Sequence, residues 1–90
     1  CGDVKIKLEK VEGKIVIKNN GDNDLVGYVV REIDTSNNVN VIERDVKILA
    51  YSAGIYEYTA SIKKIEIIPR ISIEGGEIVD CTGEAAAFTF

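Results

Sequence analysis

The chain has ninety residues, 46% of them hydrophobic, with a net charge of −4 and no histidine. That composition fits one small domain with material for a core, lacks the ~18-residue apolar run of a membrane helix, and opposes the basic surface of a nucleic-acid binder. The missing histidines also remove the commonest general base and the commonest metal ligand.

Apolar and polar residues alternate with period two along most of the chain, the pattern of half-buried strands. In the first segment Val4, Ile6 and Leu8 face one way, and Lys5, Lys7 and Glu9 the other. The second repeats this, with Ile15 and Ile17 against Lys14 and Lys18. After the polar cluster Asn19-Asn20-Gly21-Asp22-Asn23-Asp24, residues 25–33 are almost continuously apolar, as in a strand covered on both faces or near a sheet centre. Ser36-Asn37-Asn38 breaks that run, and a strand over residues 39–49 is expected to point Val46 and Ile48 inward. Residues 51–54 turn the chain into a strand over 55–61. Residues 62–81 read as two matched strands around Glu74-Gly75-Gly76-Glu77. There the two glycines suit the centre of a two-residue hairpin, where both take positive φ. Pro69, the single proline, is expected at an edge, a bulge or a strand end, because it has no N–H for a ladder. Residues 84–90 close the chain as a strand with Ala86, Phe88 and Phe90 on one side; the alanines favour helix, but the segment is too short to hold one. The expected fold class is all-β: an immunoglobulin-like antiparallel β-sandwich of about seven to eight strands, in a single domain over residues 1–90.

Cys1 and Cys81 are the two cysteines, with no CxxC and no histidine to complete a zinc site. An even count favours a disulfide, which closes a loop of about eighty residues and is worth roughly 4–5 kcal/mol on the chain-entropy account. Such a bond persists in oxidising surroundings and points to an extracellular or cell-surface location, although hyperthermophiles also form disulfides inside the cell. The competing reading makes Cys1 a lipid-modified N-terminus and leaves Cys81 unpaired. The chain contains no methionine, so a removed leader, a lost N-terminal segment or excision from a longer protein is expected, and any membrane attachment would run through that segment. Abundant isoleucine, and Lys and Glu in place of Arg and Gln, lean thermophilic; the labile Asn20-Gly21 pair tempers the lean.

Asn19, Asn20, Asp22, Asn23 and Asp24 carry the hard oxygens that calcium prefers, but no glutamate closes the loop at EF-hand spacing. The same residues are what a turn uses for positive φ and for side-chain bonds to its own backbone, and the turn is the reading adopted. The carboxylates are scattered over solvent-facing positions, and Ser36, Ser52, Ser61 and Ser72 have neither a histidine nor a GxSxG context. No catalytic residue, metal or cofactor is expected, and enzyme activity is not expected. Tyr51, Tyr56 and Tyr58 are the candidate binding residues, since grouped tyrosines build sugar- or protein-binding patches. They also serve as cross-strand pairs or as the tyrosine corner of a sandwich. Lys5, Lys7, Lys10, Lys14 and Lys18 make the first hairpin basic, whereas Glu74, Glu77, Asp80 and Glu84 make the C-terminal region acidic. This polarity either orients subunits or belongs to solvated faces and edge charges. Phe88 and Phe90 either complete the core or anchor an edge strand on a neighbouring subunit.

Asn19-Asn20-Gly21 after a strand, Ala53-Gly54-Ile55 before an aromatic strand, and Ile65-Glu66-Ile67-Ile68-Pro69 occur in an order that resembles a known pattern. It is similar to the globular domains of archaeal pilin-like and archaellum-associated secreted proteins, and to cell-adhesion-related (CARDB-type) sandwich domains. Alanine stands at position 53 where the turn of that pattern commonly has proline. The resemblance implies an immunoglobulin-like extracytoplasmic module on an archaeal cell surface or in a surface filament, serving adhesion, assembly or scaffolding. Its implied partners are other surface proteins or copies of itself, with glycans as further candidates and no nucleic acid. The alternative is a small-ligand or carbohydrate-binding module of a secreted protein that uses the tyrosine-rich turn.

Overall fold

The computed structural model describes residues 1–59 and 61–90. Its strands are β1 (Ile6–Val11), β2 (Lys14–Asn19), β3 (Gly27–Asp34), β4 (Val39–Arg44), β5 (Ala53–Glu57), β6 (Ile62–Ser72), β7 (Ile78–Asp80) and β8 (Ala86–Thr89), with a 3-10 turn at Thr82–Glu84 between the last two. One sheet has the order β1-β2-β5; the other has β4-β3-β6-β7, with β8 also paired to β6. All these pairings are antiparallel. In immunoglobulin lettering β1, β2 and β5 stand at A, B and E, and β4, β3, β6 and β7 at C′, C, F and G. The 3-10 turn splits the G position into β7 and β8.

The core is where the two sets of inward positions meet. Ile15, Ile17 and Tyr56 come from the smaller sheet, and Tyr28, Val30, Ile65 and Ile67 from the larger, all buried. Each set keeps a single parity along its strand, so the period-two pattern alone sends these side chains to one face. Leu25 and Ile48 seal one end. They exchange both backbone hydrogen bonds, at 2.8 and 3.0 Å, and so tie together the two segments that cross between sheets. β8 completes the molecule's own larger sheet, and Phe88 packs against its core.

Four local expectations are corrected. Val46 is 50% exposed, not inward. The ladder ends at Arg44, and the chain leaves the sheet to cross over, so alternation has no meaning until Ile48 re-enters at its bridge. Ala53 and Gly54 are the first residues of β5, while the turn lies just before them and is closed by Ser52 N–H donating to Leu49. Of the strand expected over 55–61, β5 ends at Glu57 and residue 60 lies outside the described residues. The glycine hairpin has a three-residue loop: Ile73 N–H donates to Glu77 O, and Gly76 N–H donates back to Ile73 O. Gly75 and Gly76 still both need positive φ, at 89° and 83°.

Pro69 sits inside the longest strand, opposite Tyr28 of β3. Its carbonyl accepts from Cys81 N–H at 2.8 Å, so the side of the strand where its own N–H would point faces the interval between β7 and β8. A central strand accommodates a proline here because the neighbouring ladder is already interrupted. At this same interval Cys81 is bonded to Cys1, with Cα atoms 5.8 Å apart. The disulfide straps the N-terminal segment onto the larger sheet and leaves no free cysteine among the described residues.

Candidate functional site

The polar cluster at residues 19–24 is a folded turn whose side chains bind the chain itself. Asn19 lies inward by strand parity and is buried. Its amide nitrogen donates to the carbonyls of Asn23 and Ile48, and its carbonyl oxygen accepts from Gly21 N–H. Asp24 accepts from Ala50 N–H at 2.8 Å, and Asp22 accepts from the Tyr51 hydroxyl. Gly21 is held because a Cβ there would lie 2.5 Å from Asp3 O. Among the described residues no group of three or more Asp, Glu, His or Cys side chains is arranged to hold a metal ion.

Tyr51, Tyr56 and Tyr58 occupy three different surroundings. Tyr51, 72% exposed, stands on the turn before β5 and walls a polar hollow of about 160 Å³ with Lys5, Asn20 and Asp22. Tyr56 points into the core, 3% exposed, edge-on to Tyr28 at 6.5 Å between ring centroids. Tyr58 packs edge-on against Phe90 at 4.8 Å, and Phe90 in turn against Phe88. They do not form one aromatic wall.

Two charged residues that the sequence reading passed over organise the larger sheet. Glu32 is 2% exposed; its carboxylate accepts from the Tyr56 hydroxyl at 2.7 Å and from Thr59 Oγ1 at 3.5 Å. Burial first, then this hydrogen bond to Glu32, raises the Tyr56 phenol well above its ordinary pKa. The signal was present: Tyr28, Val30 and Glu32 share one parity, which sends a carboxylate inward. Arg70, with its side chain 15% exposed, lies on the outer face of the same sheet. It donates to Asp80 at 2.6 and 3.4 Å and to Glu43 at 2.7 Å, with Asp45 4.0 Å away. These bonds, those to Asp80 foremost, hold the guanidinium charged. Finding this cluster needs the register that sets Arg70 beside Asp80 on β7, which periodicity along one strand does not supply.

Arg70 floors an open groove of about 620 Å³, walled by Val26 and Ile78 and rimmed by Asp45 and Asp80. Three carboxylates surround one guanidinium, so the groove carries surplus negative charge beside apolar walls. That arrangement suits a cationic side chain with an aliphatic stem. Comparison with known protein families, curated proteins and solved structures finds no match to this chain.

Proposed function

We infer that this domain is a non-catalytic, extracytoplasmic surface module for adhesion, assembly or scaffolding, of the kind found as the globular part of archaeal pilin-like or surface-anchored proteins. The observation that carries the reading is the Cys1–Cys81 disulfide, which closes almost the whole chain and is the kind of bond that persists in oxidising compartments. The distribution of polar groups supports it. In the loop at residues 19–24 the Asn19 and Asp24 side chains bond to the molecule's own backbone and Asp22 to the Tyr51 hydroxyl, while the sheet surfaces stay open. Val39 and Val41 on edge strand β4, and Ile78 on β7, are exposed. An edge strand with apolar side chains and unpaired backbone groups is a ready contact for another chain. A rigid, cross-linked sandwich also loses little entropy when it binds.

The test is thiol labelling and protease shaving of intact cells that produce the protein. The expected result is release of the domain from whole cells, with Cys1 and Cys81 unreactive to maleimide until a reductant is added. Free thiols, and protection from protease until lysis, would overturn the assignment. The ligand-binding alternative rests on Tyr51 beside its polar hollow; glycan binding that is lost in Tyr51→Ala would move the reading there.

A further inference from the structure

The outer face of the smaller sheet is net positive, whereas on the larger sheet Arg31, Lys64 and Glu66 share the outer face and the negative charge is concentrated in the Arg70 groove. On the outer face of the smaller sheet, strand parity sets Lys5, Lys7 and Glu9 of the first strand segment beside Lys14 and Lys18 of β2 and Glu57 of β5. Four lysines against two glutamates make this face positive on a chain whose net charge is −4. Register places Lys7 directly opposite Lys18. Like charges in that position are unfavourable unless an opposite charge is nearby. Lys18 turns to Glu9 at 2.5 Å, and its hydrogen bond holds the Glu9 carboxyl below its usual pKa. Lys5, Lys7 and Lys14 form no ion pair among the described residues. Between the lysines lie Val16 and the exposed Ile55, which pair in register. On the opposite side of the molecule is the Arg70 groove, with Glu43, Asp45 and Asp80 around one guanidinium and with Val26 and Ile78 as walls.

We propose that these two surfaces are the two halves of one interface between copies of this chain: the lysine face of one molecule docks on the acidic groove face of the next. This deepens the surface-module reading, on which it rests, by naming the partner. Lys7 and Lys18 enter the groove with their stems along Val26 and Ile78 and their ammonium groups among the carboxylates. Single exposed ion pairs contribute little, so the contact depends on several pairs together with burial of Ile55 and Ile78. The long face of the molecule, 41 × 22 Å, is broad enough for the ~800 Å² per partner of a standard interface. Because the surfaces lie on opposite faces, the contact is heterologous, and each added copy presents a fresh surface at both ends; the product is an open stack.

Sedimentation of the intact disulfide-bonded chain tests this at about 0.01 M salt, where the Debye length is ~30 Å, and at about 1 M, where it is ~3 Å. Mass that grows with protein concentration at low salt and falls to monomer at high salt is expected. Lys7→Glu/Lys18→Glu and Glu43→Lys/Asp45→Lys should each be monomeric at low salt, and their equimolar mixture should grow again as an alternating stack, because the unaltered lysine face meets the unaltered groove and the two reversed surfaces complement each other. Zero-length carbodiimide cross-linking of the unaltered chain adds a readout independent of variant folding: Lys7 or Lys18 should join Glu43 or Asp45 of another molecule. A chain that stays monomeric at low salt, variants that assemble like the parent, or cross-links confined to single molecules would overturn the proposal. The cell-surface reading, tested by shaving, would stand through any of those results.

Discussion

The Tyr56 hydroxyl donates to Glu32 Oε2 at 2.7 Å between the two sheets, and together they place a carboxylate beside a core built mainly from isoleucine, valine and leucine. No Lys or Arg is within ion-pair distance of Glu32 among the described residues. The cation in this neighbourhood, Arg44, lies over the Tyr56 ring at 5.6 Å. The pair joins β3 to β5, and therefore one sheet to the other.

Tyr56→Phe removes the donor and leaves the buried carboxylate with only the long contact from Thr59. The expected cost is about 1–3 kcal/mol, the range for a buried polar group that loses its partner. Glu32→Leu alone strands the phenol in the same way, while the double change Glu32→Leu/Tyr56→Phe strands neither group. Urea unfolding of the four proteins should therefore give a double-variant loss smaller than the sum of the single losses. Strict additivity would mean the hydrogen bond contributes nothing.

The same pair sets a limit at high pH. Burial, and then Glu32, raise the Tyr56 phenol pKa in the folded state; burial also raises Tyr28, with Arg44 opposing. A folded-state pKa above the unfolded one stabilises fully below the unfolded value, about 10 for tyrosine, and that stability is lost as pH rises beyond it. Urea midpoints should hold to about pH 9 and then fall, with a shallower fall in Tyr56→Phe. A flat profile across this window, in the absence of disulfide exchange, would contradict the coupling.

The Cys1–Cys81 bond spans 80 residues of sequence. On the chain-entropy account its loss costs roughly 4–5 kcal/mol, against total stabilities of about 5–15 kcal/mol for domains in general. Reduction, or the substitution Cys1→Ala/Cys81→Ala, should shift the denaturant midpoint by a large fraction of its value and raise m, because the unfolded chain expands once the link is gone. Equal midpoints for oxidised and reduced protein would show that the packed N-terminal segment, anchored by the buried Val4, holds without the bond.

How far the sequence was readable depends on the distance over which each feature is encoded. The inward positions Ile15, Ile17, Ile65 and Ile67 are set by parity within one strand, so alternation finds them. Val46 breaks the rule because the chain has left the ladder after Arg44, and alternation has no meaning off a sheet. Pro69 is expected at an edge, a bulge or a strand end; its tolerance inside β6 depends on an interruption of the partner ladder between β7 and β8, which lies ten or more residues away in sequence. Glu32 was legible by parity but was hidden inside an apolar run. The Arg70 cluster was not legible, since Glu43, Asp45 and Asp80 converge only once β4, β3, β6 and β7 are in register. The tyrosines are neighbours in sequence and separate in space because Tyr51 precedes β5, Tyr56 points inward from it, and Tyr58 follows its end.

Asn19 is the keystone of the loop at residues 19–24. Asn19→Ala removes two donors to the carbonyls of Asn23 and Ile48 and one acceptor for Gly21 N–H, and about 1–3 kcal/mol of destabilisation is expected. Gly21→Ala should also destabilise, since the new methyl meets the Asp3 carbonyl and pushes the N-terminal segment away. Calcium should leave the melting temperature of the parent chain unchanged, because the Asp22 and Asp24 carboxylates already accept from Tyr51 and Ala50. A calcium-dependent rise in melting temperature would reverse the assignment of this loop as a plain turn.

The β3–β4 turn supplies an acid-side counterpart. Asp34 Oδ1 accepts from the backbone N–H groups of both Ser36 and Asn38 at 2.9 Å, and Asn37 sits between them at φ 66°. The Asn38 backbone bond foremost, then Ser36, the Asn38 side chain and the charge of Lys63, lower the Asp34 pKa, with desolvation opposing. A carboxyl whose folded pKa is depressed stabilises the turn fully above its unfolded value, about 3.9, and that contribution is lost as pH falls through the folded value. In NMR titrations the Ser36 and Asn38 amide shifts should therefore follow one midpoint below about 3.9. In Asp34→Ala the same two amides should exchange faster at neutral pH while the β3–β6 ladder remains protected, because the turn closes one hairpin and the ladder belongs to the core. If both amides titrate at the ordinary aspartate value, or the whole larger sheet loses protection with them, the carboxylate is not acting as the local clamp of this turn.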